Sequence, residues 1–136
     1  MFYLGKIRRI EMDKNGADKA IVEVYLIKDA ESFGDAENQL LLEFNNECDV
    51  IDLKQYTKLM EIANNPSSED EKLFKVVIVS IFKDEATGDE KEQKYDTLFW
   101  AKNVQDATKK STDYINAGMT DMFVHSIIKT KIVDIL

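Results

Sequence analysis

With 136 residues, a hydrophobic fraction of 44% and a single proline, the chain suits one compact domain or two small ones, and it is too apolar to be disordered. A net charge of −8, from 18 basic and 26 acidic side chains, excludes a surface that coats DNA loosely all round and leaves room only for a local basic face. No apolar run approaches the ~20 residues of a membrane span, the start lacks a signal-peptide pattern and Cys48 has no disulfide partner, so a cytoplasmic protein is expected.

The first element is an apolar stretch from Phe2 to Ile10, followed by Asp13-Lys14-Asn15-Gly16. Asn-Gly tolerates the positive φ of a tight turn, so the pattern predicts a hairpin into a second strand over Ala20 to Ile27. Ala20, Val22, Val24 and Leu26 form one clean apolar face of that strand, with Lys19 and Glu23 on the other. Ser32 followed by Asp35 has the form of an N-cap with an acidic first turn. Phe33, Ala36, Leu40 and Phe44 then recur at helical spacing. A last strand is expected from about Asp49 to Ile62.

The remainder of the chain runs through the same order. Phe74 to Phe82 is a strand apolar on both faces, the pattern of a central strand. Gly88 closes its turn, Gln93 to Trp100 returns, and Asn103 with Asp106 caps a helix carrying Val104, Ala107, Tyr114 and Ile115. Gly118 marks the helix stop after Ala117, and a strand from about Met122 to Ile135 ends the chain.

Phe2 and Phe74 lie 72 residues apart, as do Gly16 and Gly88. The helix starts are offset by 71, and Lys58-Leu59-Met60-Glu61-Ile62 matches Lys131-Ile132-Val133-Asp134-Ile135 at 73. The expectation is an α+β fold of two duplicated β-β-α-β units, residues 1–63 and 73–136, joined by a polar linker over 64–72. A unit of that size buries too little to be comfortable alone. The two are therefore expected to share a sheet or to pack about a pseudo-twofold axis.

Catalytic apparatus is missing from the pattern. Nucleophilic catalysis needs a base beside the nucleophile, and the lone histidine, His125, reads as a structural or surface residue of the last strand. Cys48 stands between Glu47 and Asp49, which raise a thiol pKa and lower its reactivity. Zinc sites need about four Cys or His ligands, and the glycines are too scattered for a phosphate loop. Asp49 with Asp52, and Glu61 with Asp134, are carboxylate pairs of the kind a metal-assisted nuclease uses, but neither has a supporting lysine at a fitting spacing. No catalytic residue, metal or cofactor is expected.

A sheet that binds single-stranded nucleic acid combines stacking aromatics with nearby cations. The expectation is a non-enzymatic protein that handles single-stranded nucleic acid through one sheet face, with Lys6, Arg8, Arg9, Lys94, Trp100, Lys129 and Lys131 as the candidate contacts. The plainer reading is that strand aromatics face a core and strand lysines keep edges soluble. A different class is an acidic protein-interaction module, a homo-oligomer among its forms, or a host-directed nucleic-acid mimic.

The opening Phe2-Tyr3-Leu4-Gly5-Lys6-Ile7-Arg8, the turn at Gly16, Tyr25-Leu26-Ile27, and Ser32-Phe33 leading to Ala36-Glu37 carry a family resemblance. Phe74-Lys75-Val76, Thr87-Gly88, Ala107 and Ile127 to Ile135 continue it. The chain resembles an uncharacterised small-protein family, a domain of unknown function of Bacteroidetes bacteria and their phages and mobile elements. The resemblance brings no active site. It implies a phage or mobile-element setting, in which a DNA-metabolism accessory or a host-directed inhibitor would be natural.

Overall fold

The computed structural model describes residues 1–118 and 121–136, in an α+β fold of two helices and two four-stranded sheets. The chain divides into two compact units, and the division does not follow the sequence halves. Unit 1 holds 1–57 together with 131–136; unit 2 holds 58–130.

In unit 1, β1 (Tyr3–Met12) and β2 (Asp18–Ile27) form the predicted hairpin. Gly16 supplies its turn with φ 78°. Asp13 organises the turn, its carboxylate accepting from the N–H of Asn15 at 2.8 Å and of Ala17 at 2.9 Å. Helix α1 (Phe33–Glu43) starts where expected. The Ser32 hydroxyl accepts from Asp35 N at 3.1 Å, and the Asp35 carboxylate accepts from Glu31 N at 2.9 Å, so two orphan donors are satisfied reciprocally.

The end of α1 carries a device that the sequence reading passed over. Asn45 and Asn46 both take left-handed φ, 53° and 61°, and their N–H groups bond back to Leu42 O at 3.2 Å and Leu41 O at 2.7 Å. This is the paired 5→2 and 6→1 pattern that stops a helix, with Asn in the place usually held by Gly. It turns the chain into β3 (Cys48–Gln55), which pairs antiparallel with β1. The core lies between α1 and the sheet face carrying Tyr3, Ile7, Tyr25 and Ile27, against which Ala36 and Leu40 are fully buried. Gly5 lies on the same face, and a Cβ there would run into Leu40.

Unit 2 has the same order. β5 (Lys72–Lys83) is central, between β6 (Glu90–Ala101) and β7 (Asp121–Lys129), as its two apolar faces predict. Helix α2 (Val104–Asn116) is capped by Asn103 accepting from Asp106 N at 2.8 Å, while Asp106 accepts from Lys102 N at 3.0 Å. Each outer antiparallel strand carries one bulge at the matching register, at Ile51 in β3 and at His125 in β7.

Two sequence expectations need correction. The long final strands are each two strands on different sheets, separated by a break at 56–58 and at 130–131. β4 (Leu59–Ile62) follows β3 in sequence but pairs parallel with β6 in unit 2. β8 (Ile132–Ile135) follows β7 but pairs parallel with β2 in unit 1. The sheet orders are β3-β1-β2-β8 and β4-β6-β5-β7, two separate sheets and not one shared sheet. The second correction is register. Tyr3, not Phe2, occupies the place that Phe74 holds, because Tyr3 pairs with Ile27 as Phe74 pairs with Phe99. A slip of one residue would turn every side chain of the strand to the other face.

The stretch read as a linker is tied down throughout. Ala63 N donates to Leu98 O at 2.9 Å, and the Asn64 side chain holds the Trp100 backbone twice, at 2.7 and 3.0 Å. These bonds continue the ladder past the end of β4, using an amide side chain in place of a further strand residue.

Removing 131–136 is expected to destabilise unit 1 by on the order of 3 kcal/mol, through the lost burial of Ile132 and of the partly buried Ile135 and Leu136. Amide exchange should then speed up at Leu26 and Lys28 while Val76 and Ile78 keep their protection. First loss in β5 would contradict the exchanged strand.

Candidate functional site

Strand alternation assigns each predicted cation to a face. On β1, Lys6 and Arg8 project from the side opposite α1, and both are exposed. Across the ladder, Lys6 is flanked by Asp52 and Val24, and Arg8 by Asp49 and Val22. The bulge at Ile51 thus brings Asp49 and Asp52 to one face, beside the two cations. Arg9 lies on the helix side. Its guanidinium bonds Glu23 at 2.6 Å and Glu11 at 3.1 Å, and the bond to Glu23 holds it more firmly charged than an ordinary arginine.

The other four candidates lie outside β1. Lys94 is exposed on β6 of unit 2, and Lys129 projects from the opposite face of that sheet, since it pairs with Phe74 on the helix side. Lys131 is exposed just before β8 in unit 1. Trp100 is only 8% exposed, so the expected stacking platform is not available to a base. Its position next to Ala101, at the buried end of β6, explains this: the strand there is covered on both faces.

Burial of charge is concentrated elsewhere, at Glu71. Its side chain is fully buried and accepts from Ser67 N at 2.9 Å, from the Ser67 hydroxyl and from Lys110 Nζ at 3.1 Å. Lys110 also reaches Trp100 O at 2.9 Å and Asp106 at 3.2 Å. The bonds from Ser67, then Lys110, hold the Glu71 carboxyl below its usual range despite burial. Every acceptor and donor faces a protein partner, so the cluster joins the 64–71 segment to α2 and leaves no reacting group free.

Two tyrosines sit beside carboxylates. Burial, reinforced by Glu23, pushes Tyr25 up to about 12. In unit 2 the Tyr114 hydroxyl donates to Glu61, and burial followed by that bond raises it further. Both phenols therefore stay protonated at physiological pH and act as donors or core groups, not as bases. Cys48 is half-buried, and burial with Asp49 raises its thiol, so it is a weak nucleophile. Among the described residues no group of three or more His, Cys, Asp or Glu is placed to hold a metal ion, and no helix is long and apolar enough to cross a membrane.

All 136 residues match the family model called Domain of unknown function (DUF4494). The chain belongs to that family. No curated protein and no solved structure matches it.

One surface stands out that the candidate residues did not anticipate. Ile10, Met12 and Val22 are 56%, 68% and 50% exposed. With Ala20 they share one face of the β1–β2 hairpin, since Arg8 pairs with Val22, Ile10 with Ala20 and Met12 with Asp18. The face predicted as clean and apolar on β2 is buried only at Leu26 and open to water beyond Val24. The signal was present in the sequence as an apolar alternation, but whether anything covers it is a tertiary fact.

The Glu71 cluster predicts an acid limb in stability. A carboxylate whose folded pKa is depressed stabilises above its unfolded value, near 4.3, and that contribution is lost as pH falls through the lower folded value. Glu71→Gln should cost about 1–3 kcal/mol at neutral pH and flatten the stability profile below about pH 4.3. Denaturant melts across pH read both effects. An unchanged acid slope would remove Glu71 as its source.

Proposed function

We propose that the chain is a non-enzymatic protein-interaction module of the cytoplasm whose contact surface is the β1–β2 hairpin face of unit 1. One observation carries the reading: three large apolar side chains, Ile10, Met12 and Val22, lie exposed and adjacent on a two-strand ribbon. Contiguous apolar exposure rimmed by charge marks interaction surfaces, whereas single exposed apolar residues do not. Lys6 and Arg8 border it on one side, and a net charge of −8 keeps the rest of the surface soluble.

The two units are proposed to descend from a duplicated β-β-α-β ancestor. Support comes from matching strand orders, bulges and caps, at spacings of 71 to 74 residues along the chain. A phage or mobile-element accessory remains the proposed setting.

A photo-reactive amino acid at Met12, introduced into the full chain in cells that express it, tests the interaction reading. Light-dependent, nuclease-resistant adducts lost on Val22→Lys are expected. A complete lack of adducts would end the reading.

Single-strand nucleic-acid binding is the second reading, favoured by the adjacent exposed Lys6 and Arg8 beside Val22. Anisotropy of labelled single-stranded DNA at low and moderate salt decides it. Under that reading, replacing both cations with Ala weakens binding and lowers the salt slope by about one to two. Absence of binding at low salt removes it.

A further inference from the structure

The first sheet is completed from a distance, by a strand that a second copy of the chain can also supply. β8 lies along β2 with Ile132 opposite Val24 and Ile135 opposite Leu26, Ile132 is buried, and Leu136 N donates to Leu26 O at 2.8 Å. The β2–β8 ladder is the same whichever copy β8 belongs to. Other ways in for a strand are blunted. A bulge interrupts each outer edge, at Ile51 in β3, His125 in β7, Met60 in β4 and Val133 in β8. Addition edge to edge is thereby disfavoured, and exchange of β8 is the remaining route by which one copy can pair a strand with another.

The hinge for that exchange is Thr57. Tyr56 N donates to Phe2 O at 2.8 Å, which fixes the residue before it in unit 1. Lys58 O accepts from Asp96 N at 3.0 Å, which fixes the residue after it in unit 2. Thr57 and Lys58 form a turn, yet the segment from Cys48 to Ile62 holds no glycine, proline or asparagine. Tyr and Thr are strand formers. A turn made of such residues gains from straightening, and β3 then runs directly into β4, the single strand that the sequence pattern predicts from Asp49 to Ile62. At the matching break, 130–131, the chain makes no turn and needs no such change.

We propose that residues 1–57 leave their own β8 by straightening at Thr57 and dock on β8 of a second copy, which returns the exchange and closes a twofold dimer. This inference goes beyond the hairpin-face reading and does not rest on it. A strand tethered in the same chain competes at an effective concentration on the order of millimolar. The chain is therefore monomeric when dilute and exchanges when refolded in concentrated solution. Interconversion is slow, because the β2–β8 ladder must open each time.

Refolding the full chain at millimolar concentration, followed by sizing after dilution, tests this. The expected result is a dimer that reverts slowly to monomer. In a Cys48→Ser background, a mixture of Val24→Cys and Ile132→Cys chains refolded together and oxidised is expected to give a disulfide heterodimer, since positions 24 and 132 stand opposite each other on the ladder. A reading that needs no substitution comes from a wild-type dimer of carbon-13-labelled and unlabelled copies. Isotope-filtered contacts between Leu26 and Ile135 should there run from one copy to the other. Thr57→Gly is expected to lower the dimer fraction and Thr57→Val to raise it, each about two- to fivefold. A wild-type chain that is wholly monomeric after refolding at millimolar concentration overturns the inference. So does a wild-type dimer whose β2–β8 contacts stay within each copy, since the copies then associate through another surface. The hairpin-face reading stands or falls separately, on the Met12 adducts.

Discussion

Both sheets close on a parallel strand of four residues that arrives from elsewhere in the chain, and much of the architecture depends on that pairing. Without it β2 and β6 would be edges, exposing unpaired N–H and C=O groups along Val24–Leu26 and Asp96–Leu98. A strand directly continuing β3 or β7 could not serve by a short turn, because parallel pairing needs a long connection. The chain from β2 to β8 and from β4 to β6 supplies that length with elements already present. Unit 1 therefore depends on residues from both ends of the sequence, while unit 2 is one continuous stretch. An apolar pair brackets an acidic residue in both strands, as Leu59, Glu61, Ile62 and Ile132, Asp134, Ile135, which suits a half-buried edge strand.

The helix-facing sides of the sheets are packed by ordinary means. Leu40 fills the space left by Gly5, Phe44 meets Tyr25 edge-on at 5.3 Å, and Phe99 meets Tyr114 at 5.5 Å. The titratable groups drawn into this packing are committed to it. Glu71 is saturated by donors, and Tyr114 is bonded to Glu61. Such networks shift pKa values as active sites do, but a saturated network offers no free group for chemistry. On the other side of the first sheet, Ile10, Met12 and Val22 of the β1–β2 face stay exposed.

Several features were legible before the fold was known. The turn at Gly16, the caps at Ser32 and Asn103 and the central place of β5 follow from short-range chemistry: positive φ, orphan N–H groups, and apolar residues on both faces. The candidate nucleic-acid residues were a different case. Counting cations and aromatics could not tell that Arg9 is bonded to Glu23 or that Trp100 is buried, because both depend on which residue stands across the ladder. The Asn45-Asn46 helix stop was visible in principle, since Asn tolerates left-handed backbone, and was missed for want of a glycine.

The sequence by itself determined the helices, the hairpins and their order. Those are set by periodicity and by side chains acting on their nearest backbone groups. Only the tertiary structure decided that β4 and β8 change sheets, that Tyr3 and not Phe2 matches Phe74, and that Val22 is open while Leu26 is closed. The physical reason is common to all three. A strand's pattern states which residues share a face, but partner and register come from long-range pairing, and burial comes from whatever that pairing brings against the face.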